Sequence, residues 1–159
     1  MTDPSKHTRV FLCVVDQSPE LKVALRFACR RAKSSGGRVA LLYVTEPADD
    51  QHWGAVSELM RQERRAEAEA RLQELSNIVY ELTGEMPVLH LREGNVRDEL
   101  LKLLNEDRSI SILVLGADPG PKGPGPLVTA LSGKYSSRLH VPLTIVPGSL
   151  TDAEVDAIT

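Results

Sequence analysis

The sequence predicts an α/β protein whose core is a parallel sheet of five strands. Apolar runs alternate with helical patterns along the 159 residues, as they do in chains of βα units. Three of the runs are nearly continuous in Val, Leu and Ile, which is typical of parallel strands that are covered on both faces. The length suits one globular core, so we expect residues 1–159 to form a single domain.

Five apolar runs mark the predicted strands, and helical patterns lie between them. The runs are RVFLCVV (9–15, apolar from residue 10), RVALLYV (38–44), PVLHL (87–91), ISILVLG (110–116) and VPLTIV (141–146). The predicted order of elements is therefore β-α-β-α-β-α-β-α-β.

Four helical patterns separate these strands. The first begins with Ser18 as its N-cap and Pro19 in the first helical position, and it ends at Gly36 and Gly37. The other three are also bounded by capping or breaking residues: a long helix from about Trp53 to Leu82 that stops at Gly84, a helix capped by Asn95, and a helix that begins at Pro126 behind Gly125.

The last residues predict a short fifth helix at about 151–158 in place of a frayed end. Thr151 and Glu154 have the spacing of a capping box, and Leu150 and Val155 have the spacing of a hydrophobic staple. Asp152 and Glu154 also suit the positive end of a helix dipole.

Composition and charge restrict the class of partner. Charged residues are 26% of the chain and the net charge is −3, so no basic surface for DNA or RNA is expected. The N-terminal stretch MTDPSKHTR is polar, and no apolar stretch is long enough to span a bilayer. We therefore expect a cytoplasmic protein without a nucleic-acid or membrane partner.

The residues that could bind a metal or perform chemistry are scattered. Metal-ligand spacing is absent among the four histidines, which are His7, His52, His90 and His140. Cys13 and Cys29 lie in apolar and helical patterns, so they are predicted to be buried, reduced thiols. No nucleophile elbow is present, and no catalytic residue is predicted.

The ends of the predicted strands carry a set of short motifs. Residues 9–47 read RVFLCVVDQSPELKVALRFACRRAKSSGGRVALLYVTEP, and LREGNVRDELLKLL, ILVLGAD and VPLTIV follow. In this order and spacing they resemble the universal stress protein family, with matches at Val15, Asp16, Ser18, Leu41, Leu42 and Val44. The resemblance covers nearly the whole chain. It implies an open, doubly wound five-stranded sheet in the order 3-2-1-4-5, with helices on both faces.

A ligand crevice is expected where the strand order reverses, between strands one and four. In this sequence it lies between VVDQS and LGADPG. The resemblance assigns Asp16 to the adenosine part of a bound ATP and the backbone around Val44 to the adenine. Asp16 also has a purely structural interpretation, as an Asx turn leading into Ser18, and the residues alone do not decide between the two.

The phosphate end departs from the pattern G-x2-G-x9-G-[ST] that ATP-binding members of the family carry. Counted without gaps from the end of the fourth strand, its four positions fall on Gly116, Pro119, Thr129 and Ala130. In a second register they fall on Gly120, Gly123, Gly133 and Lys134. We favour the ungapped register because it keeps Leu131 and Tyr135 one helical turn apart on a buried face.

The stretch GADPGPKGPGPLVTALSGK therefore combines features for and against phosphate binding. Thr129 brings a β-branched side chain where the family has bare backbone, and prolines at 119, 121, 124 and 126 remove N–H donors. The remaining amides, the charge of Lys122 and the start of the last helix could still meet an anion. The candidate phosphate-end residues are Gly116, Asp118, Gly120, Lys122, Gly123, Gly125, Thr129 and Ala130.

Two functions remain open from the sequence. The first is a small stress-response protein with a degenerate adenine-nucleotide crevice, which acts as a homodimer through partner contacts. The second is a nucleotide-responsive stress protein that binds ATP or AMP through the Gly-Pro loop. The proline content of the loop favours the first. The dimer is expected to form through strand 142–147, because a sheet edge leaves backbone groups unpaired and because family members pair this strand.

Overall fold

The protein is described by a computed structural model over residues 8–47 and 54–159. Its strands are β1 (Val10–Val15), β2 (Arg38–Thr45), β3 (Val88–Glu93), β4 (Ile110–Ala117) and β5 (Leu143–Pro147). Its helices are α1 (Glu20–Ser35), α2 (Ala55–Thr83), α3 (Val96–Glu106), α4 (Pro126–Ser132) and α5 (Asp152–Ile158), and a 3-10 turn covers Ser136–Arg138.

The strands form one parallel sheet in the order β3-β2-β1-β4-β5. Cys13 at the centre of β1 pairs with Leu41 of β2 on one side and with Val114 of β4 on the other. The prediction of an open five-stranded sheet in the order 3-2-1-4-5 is therefore confirmed.

Successive side chains of β1 enter two different hydrophobic cores. Cys13 and Val15 belong to the core that includes α1 and α2, whereas Leu12 and Val14 belong to the core that includes α3 and α4. Burial on both faces explains why the sequence of this strand is continuously apolar. Because α1 and α4 pack on opposite faces, the chain leaves β1 and β4 in opposite directions and opens a crevice between their ends.

The start of α1 differs from the prediction. The helix begins at Glu20 after Pro19, and no side chain caps it. The hydroxyl of Ser18 instead donates to Oδ1 of Asp16, at 2.5 Å. The prediction that Ser18 caps this helix is wrong, because the carboxylate two residues earlier takes the hydroxyl as a donor.

The other helix boundaries agree with their capping residues. Asn95 accepts a hydrogen bond from the N–H of Asp98 at 3.1 Å and so caps α3, as predicted. Gly84 ends α2 in the left-handed conformation that favours glycine, with φ of 81°. The predicted start of that helix at Trp53 lies outside the described residues.

α4 is shorter than the sequence predicted. It begins at Pro126 behind Gly125, as expected, but ends at Ser132 because the backbone of Gly133 leaves the helical region, with φ of −117° and ψ of −111°. Tyr135 lies in the following turn and packs against the same core as Leu131. The prediction that these two residues share a helix is wrong, so the reason for favouring the ungapped register is removed.

Both cysteines are buried and free, as predicted. Burial raises the pKa of Cys13 far above its ordinary value and raises the pKa of Cys29 to about 12. At neutral pH both side chains are therefore neutral thiols that pack in the core around α1.

α5 is a capped helix that packs on α1, as its sequence predicted. The hydroxyl of Thr151 accepts the N–H of Glu154 at 3.1 Å, and the Glu154 carboxylate accepts the N–H of Thr151 at 3.2 Å, which completes the capping box. Val155 is fully buried. Arg26 of α1 donates two hydrogen bonds of 2.8 Å to the carboxylate of Asp156. Capping, burial and a bidentate ion pair together hold the tail.

In the residues that the structure describes, no helix has both the length and the apolar character that crossing a membrane requires.

The ion pair between Arg26 and Asp156 predicts how the tail responds to mutation. Arg26→Met should speed amide exchange in residues 152–158 about tenfold while the sheet stays protected, because it removes both charge-assisted hydrogen bonds. Hydrogen exchange followed by mass spectrometry measures this. Lys22→Met is the matched control, since exposed Lys22 on the same helix pairs with Glu74 and not with α5. Equal exchange of the tail in both variants would contradict the prediction.

The same ion pair gives the pH dependence of the tail. The guanidinium of Arg26 holds the pKa of Asp156 below its ordinary value by donating hydrogen bonds to the carboxylate. The contribution of the pair is therefore complete above the ordinary aspartate pKa and is lost as the pH falls through the lowered value. Exchange in α5, corrected for intrinsic rates, should accelerate in acid more in the wild type than in Arg26→Met.

Candidate functional site

A crevice of about 470 Å³ lies at the carboxyl ends of β1 and β4. The sequence located it between VVDQS and LGADPG, and residues of both segments line it. Its volume is within the range of small-molecule sites. The walls come from the ends of β1, β2 and β4 and the starts of α1, α3 and α4, which contribute residues 14–18, 43–44, 46, 95–97, 114–116 and 124–128 among others.

Asp16 lines the crevice immediately after β1. Its Oδ1 accepts the N–H of Ser18 at 2.9 Å as well as the Ser18 hydroxyl, so the Asx turn that was one of its two interpretations is present. Oδ2 of the exposed carboxylate has no hydrogen-bond partner within the described residues. The turn therefore uses one oxygen of Asp16 and leaves the other able to accept a hydrogen bond.

The end of β2 forms the adjacent wall. Val44 lines the crevice, but its side chain is buried in the core with α3, so its backbone is the part that a ligand can reach. Tyr43 and Glu46 lie beside it. The amide of Gln17 donates to the hydroxyl of Tyr43 at 3.5 Å, which links the ends of β1 and β2 across the sheet.

Gly116, the first position of the ungapped phosphate motif, lies in the crevice for a structural reason. A Cβ at this position would lie 2.5 Å from the carbonyl oxygen and 2.9 Å from the carbonyl carbon of Glu20. The first residue of α1 therefore packs on β4 where only hydrogen fits. Close packing between helix and strand explains this glycine without a ligand.

Three N–H groups of the Gly-Pro loop after β4 donate hydrogen bonds within the loop itself. The N–H of Gly120 donates to Oδ1 of Asp118 at 2.8 Å, the N–H of Asp118 to the carbonyl of Pro124 at 3.2 Å, and the N–H of Gly123 to the carbonyl of Gly120 at 3.4 Å. Gly125 has φ of 106° and ψ of 158°, a region that almost only glycine adopts. The glycine at this position thus follows from the backbone conformation.

The structure brings half of the predicted site residues together. Those that line the crevice are Asp16, Val44, Gly116, Gly125 and Ala130. The remaining candidates lie outside its lining: Asp118, Gly120, Lys122, Gly123 and Thr129. Thr129 is exposed on α4, and its N–H donates to the carbonyl of Gly125 at 3.0 Å. This N–H therefore donates within α4. A glycine at position 129 would make the same helix bond and would not free the N–H for a phosphate.

Three lining residues at the start of α3 were not predicted as site residues. They are Asn95, Val96 and Arg97. The rule that ligands bind beyond the carboxyl ends of strands could have found them, because the turn after β3 reaches the same end of the sheet. The sequence reasoning applied that rule only to β1 and β4, and Val44 of β2 came from the family resemblance.

The charges that line the crevice are mainly negative. Asp16, Glu20 and Glu46 contribute carboxylates, and Arg97 is the one basic residue that the described chain contributes to the lining. Lys122, which the sequence proposed for a phosphate, is exposed and lies outside. A ligand with several negative charges would face repulsion here that a neutral one would not.

No group of three or more His, Cys, Asp and Glu residues that could hold a metal ion occurs in the described ranges 8–47 and 54–159.

The profile of the Universal stress protein family matches residues 7–147, which is most of the chain. The chain belongs to the universal stress protein family. The family assignment made from the strand-end motifs is therefore confirmed. The match ends at the last residue of β5, so α5 lies outside it. A sequence comparison with curated proteins finds no significant match.

Solved universal stress proteins share the fold. UspA from Lactobacillus plantarum superposes with a TM-score of 0.72 at 16% identity, over 89% of this chain and 99% of that one. The Archaeoglobus fulgidus protein in complex with dAMP gives 0.61 at 16% identity, over 88% and 98%. An Arabidopsis thaliana family member with AMP bound gives 0.60 at 20% identity, over 88% and 91%.

The contact at Gly116 predicts a stability effect that is independent of any ligand. Gly116→Ala should lower the free energy of unfolding by about 1 to 3 kcal/mol, because the new methyl group must displace the backbone of Glu20. Urea denaturation measures the change. Gly120→Ala is the control, since its Cβ would meet only the side chain of Asp118, at 3.1 Å. Equal stability of Gly116→Ala and the wild type would show that α1 can move away from β4.

Proposed function

We propose that this universal stress protein binds the adenosine part of an adenine nucleotide in the crevice, holds a triphosphate weakly, and acts as a homodimer through contacts with partner molecules. The observation that carries the proposal is that the Gly-Pro loop makes hydrogen bonds within itself. Three of its amides, those of Asp118, Gly120 and Gly123, already donate to Pro124, Asp118 and Gly120, so a phosphate could recruit these three only by breaking those bonds.

The proposed binding of adenosine rests on three features. Asp16 keeps Oδ2 for a ribose hydroxyl, the backbone around Val44 is at the lining, and the volume of about 470 Å³ suits a ligand of this size. The structures of the Archaeoglobus fulgidus and Arabidopsis thaliana proteins were determined with dAMP and AMP, respectively, which supports a nucleotide of this class.

Binding of a ligand series tests the proposal. Isothermal titration should show adenosine and AMP binding more tightly than ATP. Loss of two or three charge-assisted hydrogen bonds of about 1.5 to 3 kcal/mol each would move a micromolar ATP site towards the millimolar range. Tight ATP binding would contradict the proposal and would support the alternative, a loop that rearranges to hold phosphate.

A substitution at Asp16 separates ribose binding from turn formation. Asp16→Asn should weaken adenosine binding about tenfold because it removes the charged acceptor. The amide oxygen of the new side chain should preserve the turn and the free energy of unfolding. Asp107→Asn is the matched control, because Asp107 forms the same turn with Ser109 at the opposite end of β4. Unchanged adenosine affinity in Asp16→Asn would leave Asp16 with a structural role alone.

The proposed dimer interface is the free edge of β5. Leu113 of β4 donates to the carbonyl of Pro142, so the alternation of a parallel ladder directs the N–H of Thr144 to β4 and those of Leu143 and Ile145 outwards. The side chain of Ile145 is 40% exposed beside these groups. Within residues 8–47 and 54–159 these outward N–H groups have no partner, and an apolar edge of this kind is a surface that a second copy could cover.

Charge at this edge should dissociate the dimer. Light scattering at micromolar concentration should give twice the mass of one chain for the wild type and the mass of one chain for Ile145→Lys, because paired edges would bring two lysines together. Leu89→Lys is the control, since Leu89 lies 46% exposed on the opposite edge strand. A wild-type monomer, or a dimer in both variants, would contradict this interface.

A further inference from the structure

Arg97 is the residue of the crevice that the fold and the family resemblance leave without a role. It lies in the first turn of α3 and is the single lysine or arginine among the lining residues of the described chain. The rest of the charged lining is acidic. A ligand anion that enters the crevice therefore has one side chain that would attract it.

Two contacts hold the guanidinium of Arg97 in place. Its carbon lies 4.1 Å from the centre of the Tyr135 ring, a cation–π geometry. Its Nε and Nη2 donate to Oδ1 of Asp98 at 3.2 Å and 3.1 Å. The side chain is only 32% exposed, so its rotational freedom is already reduced before any ligand binds.

These contacts leave part of the guanidinium fork unused. A guanidinium has five N–H donors, and the hydrogen bonds within the described residues use one on Nε and one on Nη2. Both donors on Nη1 and the second donor on Nη2 remain. A planar fork of this kind matches the oxygens of one phosphate group, whereas a lysine would offer only a point charge.

We propose that Arg97 makes the crevice selective for a nucleoside monophosphate, by binding the single phosphate of AMP in place of the Gly-Pro loop. One guanidinium partly neutralises one phosphate, but no second lysine or arginine of the described residues lines the crevice to meet another phosphate, and Asp16, Glu20 and Glu46 would repel it. The expected affinity is then highest for AMP, lower for adenosine and lowest for ATP. The inference rests on the proposed function, because adenosine must bind beside Asp16 and Val44 for its phosphate to reach Arg97.

The ratio of AMP to adenosine affinity tests this role. Isothermal titration of the full chain should show AMP binding about tenfold more tightly than adenosine, a factor that corresponds to about 1.4 kcal/mol and to one weak charge-assisted hydrogen bond. In Arg97→Met the ratio should fall to about one while adenosine affinity is kept. Arg97→Lys keeps the charge without the fork and should give an intermediate ratio.

A matched variant controls for overall charge. Arg108→Met removes one positive charge from an exposed position between α3 and β4, at the other end of the sheet, and should leave the ratio unchanged. Inorganic phosphate titrated alone should not bind measurably. Thermal melting of each variant without ligand establishes that it is folded, and Arg97→Lys keeps the test valid should Arg97→Met be unstable.

The outcomes distinguish this inference from the proposed function. Equal affinity of the wild type for AMP and adenosine would overturn the role of Arg97 and leave the adenosine site standing. A tenfold preference for AMP that persists in Arg97→Met and Arg97→Lys would also overturn it, since another group must then bind the phosphate. Failure of adenosine, AMP and ATP to bind at all would overturn the proposed function and the inference with it.

Discussion

The packing of the first residue of α1 against the ends of β4 and β5 is the constraint on which the crevice depends. Gly116 and Gly148 both lack a side chain where Glu20 approaches, and a Cβ on either would lie within 2.6 Å of it. α1 follows β1 in the chain but also packs on β4, which neighbours β1, and on β5, the next strand beyond it. The connecting turn of residues 16–19 must therefore cross the end of the sheet, which puts Asp16 beside the gap between β1 and β4.

Most of the fold could be predicted because its signals are local or periodic. The continuous apolar runs gave the strands, and Asn95, Gly84 and the Thr151 capping box marked helix ends correctly. The errors lie where two local interactions compete. Ser18 could cap α1 or donate to Asp16, and the chain after Leu131 could continue α4 or turn at Gly133. Such competition depends on neighbouring packing, which a single sequence does not reveal.

The candidate site was only partly predictable for a different reason. An Asx turn with an N–H from two residues later occurs at Asp16, Asp107 and Asp118, with distances of 2.9, 3.0 and 2.8 Å. The three turns have similar local geometry, yet Asp16 alone of them lines the crevice. The Asx turn alone therefore does not distinguish a residue of the crevice from one elsewhere in the fold. Arg97 carries no motif at all, and its position follows from the strand order and the start of α3.

Under the proposed function, the hydrogen bonds already made within the protein limit which part of a nucleotide the crevice could bind. A donor that is bonded to its own chain gains little from a ligand, because a new hydrogen bond only replaces an existing one. The amides of Gly120 and Gly123 are in this state, whereas Oδ2 of Asp16 and Nη1 of Arg97 are not. The proposed recognition would then depend on two side chains, Asp16 after β1 and Arg97 in the first turn of α3, and not on the amides of Gly120 and Gly123.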